Sequence, residues 1–159
     1  MIRFITTGGT IDKIYFDALS QFEIGDSILT HILGEALVSF DYEIVPLLHK
    51  DSLEMTAADR AQIRAHIEQD DAQHFVVTHG TDTMPETAEA LLGIAGKTIV
   101  LTGALSPARF KTTDAVFNVG MAVATVPVAA PGVYIAMSGQ VFEAGKVRKN
   151  REKNRFEKT

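Results

Sequence analysis

The chain has no cysteine, no tryptophan and only five prolines in 159 residues. Without cysteine there is no disulfide framework, no thiol nucleophile and no thiolate metal site, and the composition fits a reducing compartment. Long apolar runs are missing too. No segment approaches the ~20 consecutive apolar residues of a membrane span. The start, Met1-Ile2-Arg3-Phe4, lacks the basic segment and apolar stretch of a signal peptide. Positive charge is in the minority, with a formal net charge of −5, which argues against nucleic acid as the main partner. There is no HExxH pair and no compact His/Asp/Glu spacing for a metal, no P-loop, no GxGxxG with its acidic ribose partner, and no GxSxG elbow. The expectation is a soluble cytoplasmic protein, not bound to membrane, with no metal and no organic cofactor.

What is present is enough for one well-packed domain: 46% of residues are hydrophobic, in a chain of one domain's length. The organising stretch is Phe75 to Ala90, FVVTHGTDTMPETAEA. Phe75-Val76-Val77 suits a buried strand. Thr78 to Thr83 is a small, polar turn with threonines, an imidazole and a carboxylate. Thr83 as cap, Glu86 three residues on and Pro85 in the first turn predict a helix. Ile2 to Ile5, interrupted by Arg3, leads in the same way into Thr6-Thr7-Gly8-Gly9-Thr10-Ile11-Asp12. There the glycines free the backbone to turn N–H groups toward a ligand and to present Thr10.

Asp12 to Gly25 has no clean period and reads as a mobile lid carrying Tyr15, with Phe16 and Phe22 packing. Asp26 caps a helix to about Leu33, ended by Gly34. Ala36 to Val45 reads as a strand stopped by Pro46. Thr56, with Asp59 three residues later, opens a helix whose apolar positions are Ala57, Ala61, Ile63 and Ile67. The helix from Met84 ends near Gly93 or Gly96. Lys97 to Leu101 is a strand, and Thr113 or Asp114 caps a helix to about Val126. Val133 to Met137 and Gln140 to Phe142 are strands around a Ser138-Gly139 turn. Tyr42 and Tyr134 fall on strands as core residues. His74 reads as structural and His79 as a wall of the strand-end loop. From Lys146 to Thr159 nine of fourteen residues are charged, and this reads as a solvated, partly disordered tail. Strands alternating with helices predict an α/β fold with a mostly parallel sheet and its site at the carboxyl ends of the strands.

The pair TTGGTID and THGTDTMPETA resembles the two signature motifs of the L-asparaginase family of amidohydrolases. The resemblance covers nearly the whole chain but only the family's N-terminal, site-bearing domain. It implies a single domain over 1–159 with a Rossmann/flavodoxin-like sheet, and no counterpart of the smaller C-terminal domain. It also implies roles. Thr10 is the nucleophile and Tyr15 the lid residue that activates it. Thr81 positions or activates the attacking group. Asp82 anchors the substrate amine and joins a network with a lysine, for which Val141 to Lys149 selects Lys149. Ser52 binds the substrate carboxylate, main-chain groups around Ala104 face the side-chain amide, and N–H groups at Gly9–Thr10 and Gly80–Thr81 are oxyanion donors. Leu53 stands where two-domain members usually have a glutamine.

The resemblance thus implies hydrolysis of L-asparagine to L-aspartate and ammonia through an acyl-threonine, by a homo-oligomer of at least two copies. Three alternatives stay open at this stage: a hydrolase of glutamine or another small amide, a non-hydrolytic amino-acid-binding module, and an ammonia-supplying subunit of a tRNA-dependent amidotransferase.

Overall fold

The computed structural model describes residues 1–16 and 21–159, with the Phe16 side chain outside the described set. Its centre is a six-stranded sheet ordered β4-β1-β5-β6-β7-β8. The strands are β1 (Ile2–Gly8), β4 (Tyr42–Lys50), β5 (His74–Thr78), β6 (Thr98–Thr102), β7 (Gly132–Met137) and β8 (Gln140–Glu143). The first five are parallel, and β8 returns antiparallel to β7. This is the mostly parallel α/β sheet expected, with the doubly wound order of flavodoxin-like folds.

Alternation along the strands fills two cores. Phe75 and Val77 of β5 point to one face, where Ile63 and Ile67 of α2 (Ala57–Gln69) and Met84, Ala88 and Leu91 of and after α3 (Met84–Ala90) cover them. Phe4, Val76 and Val100 point to the other, against Leu29, Ile32 and Leu33 of α1 (Leu29–Glu35) and Ala115, Val119 and Ala122 of α4 (Ala115–Thr125). No described helix is long and apolar enough to cross a membrane.

Several boundaries differ from the sequence reading, each for a physical reason. Pro46 lies inside β4 rather than ending a strand before it. Among the described residues β4 is an edge strand pairing with β1 alone, and an edge position tolerates the missing N–H. The first helix is not capped by Asp26: the Asp12 carboxylate, far back in sequence, accepts the Ile28 N–H at 2.9 Å. Gly34 stays within that helix. Thr56 and Asp59 do form the reciprocal cap of α2, but Ala57 and Ala61 are exposed and only the isoleucines reach the core. The segment read as a lid is an antiparallel hairpin, β2 (Lys13–Phe16) with β3 (Gln21–Ile24); its middle, 17–20, lies outside the described residues. Phe22 is half-exposed rather than packed away, and Tyr42 is only partly buried.

The largest difference is at the end. Residues read as a disordered tail form a second antiparallel hairpin, β9 (Val147–Asn150) with β10 (Arg155–Lys158). Alternation explains it. Val147 and Phe156 point inward and are 5% and 4% exposed, while the charged residues between them face out or toward the site. Phe156 joins Phe142 of β8 with ring centroids 6.4 Å apart. Charge density masked a two-residue anchor. Phe156→Ala should therefore cost about 3–5 kcal/mol of folding stability, the usual range for emptying a buried aromatic site. Urea unfolding measures it, and a loss under ~1 kcal/mol, as for a surface position, would mean the hairpin is not part of the core.

Candidate active site

The strands end level with one another. Thr6 of β1 pairs with Thr78 of β5, and Thr78 with Thr102 of β6. The loops that follow these strands therefore leave from a single edge. The Thr7 hydroxyl donates to the Thr78 carbonyl at 2.8 Å, and the Thr102 hydroxyl to the Ala136 carbonyl at 2.9 Å. β1 and β5 are neighbours, and the chain winds outward from them in opposite directions, to β4 on one side and β6 on the other. The crevice beyond such a pair is the usual ligand position in open α/β sheets.

Glycine brings the loops into backbone contact. Gly8 and Gly9 have φ of 94° and 89°, the left-handed region open to glycine. A Cβ on Gly9 would stand 2.6 Å from the Gly80 Cα, and one on Gly80 would stand 2.6 Å from Ser52 Oγ. The loops bearing Thr10, Ser52 and Thr81 are thus pressed together. Thr10 opens a 3-10 turn, Thr10–Asp12, and is half-buried. Ser52, 2% exposed, opens another, Ser52–Glu54, capped by the Asp51 carboxylate accepting Leu53 N–H. The Thr83 hydroxyl donates to the Ser52 carbonyl at 2.7 Å. It does not cap α3, as its sequence position predicts; it ties two site loops together instead.

Lys149, on β9, reaches across 68 positions to donate from Nζ to Thr81 Oγ1 at 2.9 Å. Its Nζ also lies 5.4 Å from the centre of the Phe156 ring. Burial pulls the Lys149 pKa below the ordinary lysine range; Asp82 works against that shift and Arg151 adds to it. A neutral amine is thereby brought closer to reach at working pH. Asp82 is half-exposed, 3.8 Å from Arg151 Nε. The two carboxylates Glu86 and Glu89 join Asp82, Lys149 and Arg151 around a cleft of about 330 Å³.

Tyr15 sits on β2 opposite Phe22, ring centroids 5.5 Å apart, and is 53% exposed. Ala104 is 1% exposed in the loop after β6. Gly103 before it leaves no space for a Cβ against the His79 carbonyl. Sequence reading missed what holds this loop. The Asp114 carboxylate accepts the N–H groups of Leu105 and Ser106 at 2.9–3.0 Å, and Asn118 donates to both Asp114 and the Gly103 carbonyl. The i, i+4 spacing of Asp114 and Asn118 places them on one helix face, a signal that the capping assignment of Asp114 obscured. Its carboxylate makes no cap bond to α4.

His79 is a wall residue with a fixed tautomer. Only a ring N–H can bond the Gly80 carbonyl, so Nδ1 carries the proton at 2.7 Å and Nε2 accepts from the Thr87 hydroxyl at 2.8 Å. Arg60 Nε donates to that hydroxyl in turn. The ring is fully buried, and burial lowers its pKa from 6.5 to about 4. Between those values the unfolded chain takes up a proton that the folded chain refuses. His79 therefore contributes stability that is in place above pH 6.5 and is lost as pH falls toward 4, about 3 kcal/mol over the window. Asp12 acts in the opposite sense: burial raises its pKa from 3.8 to about 6, so its contribution is lost as pH rises through that range. The difference in unfolding free energy between wild type and His79→Gln isolates the histidine. It should grow from pH 4 to pH 6.5 and then level off; a flat difference would show that protonation of His79 is not suppressed.

The family described as "Asparaginase, N-terminal" matches residues 1–157. The chain is 44% identical over 80 residues to the probable periplasmic L-asparaginase of Haemophilus influenzae, covering 47% of this chain and 23% of that one. It is 37% identical over 87 residues to a glutamyl-tRNA(Gln) amidotransferase component from Methanococcus vannielii, covering 49% of this chain and 20% of that one. The thermostable L-asparaginase from Thermococcus kodakarensis superposes with a TM-score of 0.82 at 24% identity, over 99% of this chain and 50% of that chain; at that identity the likeness speaks for the fold. The chain spans about half the length of this solved relative.

Proposed function

From the premise that the chain belongs to the asparaginase N-terminal family, we propose that it hydrolyses L-asparagine to L-aspartate and ammonia through an acyl-threonine, without a metal or organic cofactor. The observation that carries this reading is the 2.9 Å bond from Lys149 Nζ to Thr81 Oγ1, made by two side chains far apart in sequence at the edge where Thr10 emerges. Thr10 Oγ attacks the amide carbon and its proton passes, through Tyr15, to the leaving nitrogen; the C–N bond breaks and ammonia departs. Water then attacks the ester, and the Thr10 oxygen leaves with a proton. Thr81, with Lys149 behind it, positions and activates the attacking group. Backbone N–H groups at Thr10 and Gly80–Thr81 take the oxyanion; the Gly9 N–H, expected to share this role, is already bonded to the Lys50 carbonyl at 3.0 Å. Ser52 holds the substrate carboxylate, Asp82 the amine, and the main chain at Ala104 faces the amide.

Thr10→Ala should abolish ammonia release while the fold stays intact by circular dichroism. Retention of more than a few per cent of activity, far short of the loss of roughly six decades that removal of a nucleophile can cause, would transfer the role to Thr81. Substrate preference follows from the clamps. Leu53 is 63% exposed and accepts no hydrogen bond, and Asp82 already faces Arg151. Each missing charge-assisted bond weakens binding by roughly 1.5–3 kcal/mol, one to two decades. Saturation curves should therefore show a high Michaelis constant for asparagine and a lower specificity constant for glutamine. Equal specificity constants would overturn this preference. Ammonia release from neither amide would favour a binding module or an amidotransferase role.

A homo-oligomer, at least a dimer, is proposed for the same chain. From Ala115 to Phe142 no residue is charged. Helix α4 accordingly shows apolar side chains on its outward side as well as its inward one, with Val116 at 53% and Phe117 at 62% exposed, and Val128 beyond it at 81%. In a chain of net charge −5, an uncharged face is the one on which two like copies meet without repulsion. Sedimentation at micromolar concentration should give a dimer or larger species, and Phe117→Glu should dissociate it. A monomeric wild type would overturn the proposal. The cysteine-free composition supports a cytoplasmic location.

A further inference from the structure

Among the described residues, strands β2 and β3 pair only with each other. A lone two-stranded hairpin is marginal in water, yet this one carries Tyr15. On one side its feet meet the end of β4: His49 Nε2 bonds the Ile24 carbonyl at 2.8 Å, and Lys13 lies 3.4 Å from Asp51. On the other side the grip comes from two adjacent residues of the loop after β6. Arg109 donates to the Asp12 carbonyl at 3.3 Å and to the Asp26 carbonyl at 3.0 Å, one at each foot of the hairpin. The Asp12 carbonyl also accepts the Gly25 N–H that closes the hairpin base. Phe110 lays its ring 5.6 Å from Phe22, the strand partner of Tyr15. A planar guanidinium with five donors in a fixed fork suits bridging two carbonyls; an ammonium reaches them one at a time.

We infer that Arg109 is a positioning residue that holds the Tyr15 hairpin over the Thr10 loop, with Phe110 as its apolar counterpart. The inference rests on the reading that Tyr15 acts in turnover. The loop that provides the grip is the loop that contributes Ala104. Its Leu105 and Ser106 amides are fixed by Asp114, and the Thr113 hydroxyl closes it by donating to the Ser106 carbonyl at 3.0 Å. The wall facing the substrate amide and the clasp on the hairpin are therefore one rigid piece. A side chain that displaces the wall also displaces Tyr15.

The test combines Arg109→Met, Arg109→Lys, Tyr15→Phe and the double variant Arg109→Met/Tyr15→Phe. Hydrogen exchange of the β2 and β3 amides, with β5 and β6 as internal control, reads the hairpin without reference to activity. In Arg109→Met the hairpin amides should exchange at least tenfold faster while the control strands stay unchanged, and Arg109→Lys should fall between. With asparagine, kcat should drop at least tenfold in Arg109→Met while KM stays within threefold. In the Tyr15→Phe background Arg109→Met should have no further effect on kcat. Unchanged exchange in the hairpin would overturn the clasp. An undiminished effect of Arg109→Met without the tyrosine hydroxyl would overturn action through Tyr15. If wild type releases no ammonia from asparagine, the proposed reaction fails, and the exchange measurement still decides whether Arg109 holds the hairpin.

Discussion

The site depends on one steric constraint: the backbone of Gly9 lies against the backbone of Gly80 with no space for a side-chain carbon between them. The two strand-end loops can approach that closely only because position 9 is glycine, and the missing Cβ of Gly80 makes room for Ser52. Gly80 in turn rests on the Ser52 side chain, so the third loop is stacked on the first two through this glycine. The polar side chains are then added to a frame that is already fixed. Thr83 crosses to the Ser52 carbonyl, Lys149 to Thr81, and His79 locks the Gly80 carbonyl from beneath. A methyl group at Gly9 would disturb the position of every one of these residues at once.

Much of this was legible in the sequence, and what was not has identifiable causes. Phe75-Val76-Val77 and Thr98 to Leu101 are apolar, β-branched runs buried on both faces, and such runs read as central strands without help from tertiary structure. The cap at Thr56 and Asp59 is local and was readable for the same reason. The misreadings came where a distant residue took over a local role. Thr83 and Asp114 look like caps, but Thr83 spends its hydroxyl on the Ser52 loop and Asp114 its carboxylate on amides of the loop that leads into it. Asp12 accepts the Ile28 N–H just ahead of a helix that begins 17 residues after it. Pro46 reads as a strand terminator until the strand is known to be an edge. In the last fourteen residues, charge outweighed the two inward positions, Val147 and Phe156, that decide the structure. The resemblance to asparaginases named the candidate site residues. It was the hairpin of β9 and β10 that gave a structural reason for Lys149 to stand beside Thr81.

The two hairpins have opposite characters. β9–β10 is anchored by apolar side chains in the main core, and its lysine meets Thr81 from a fixed position. β2–β3 is held by hydrogen bonds to carbonyls and by a surface cluster of aromatic rings. Burying Phe156 contributes more than any exposed contact of the first hairpin can. The part that holds the lysine is thus strongly stabilised, and the part that holds the tyrosine is weakly stabilised. This division suits a site in which one side must stay in register while the other admits substrate.

The rims of the main sheet limit how this protein can associate. Open strand edges invite another chain to extend the ladder, the first step of many aggregation processes. On one rim, Pro46 interrupts the row of amide donors midway along β4. On the other, β8 is only four residues long, ends at Glu143, and turns into the β9–β10 hairpin. Neither rim offers a long, continuous template for strand addition. The homo-oligomer proposed above would therefore form away from the sheet edges, on the helical flank, where contacts made by side chains can close into a finite assembly instead of growing into a fibre.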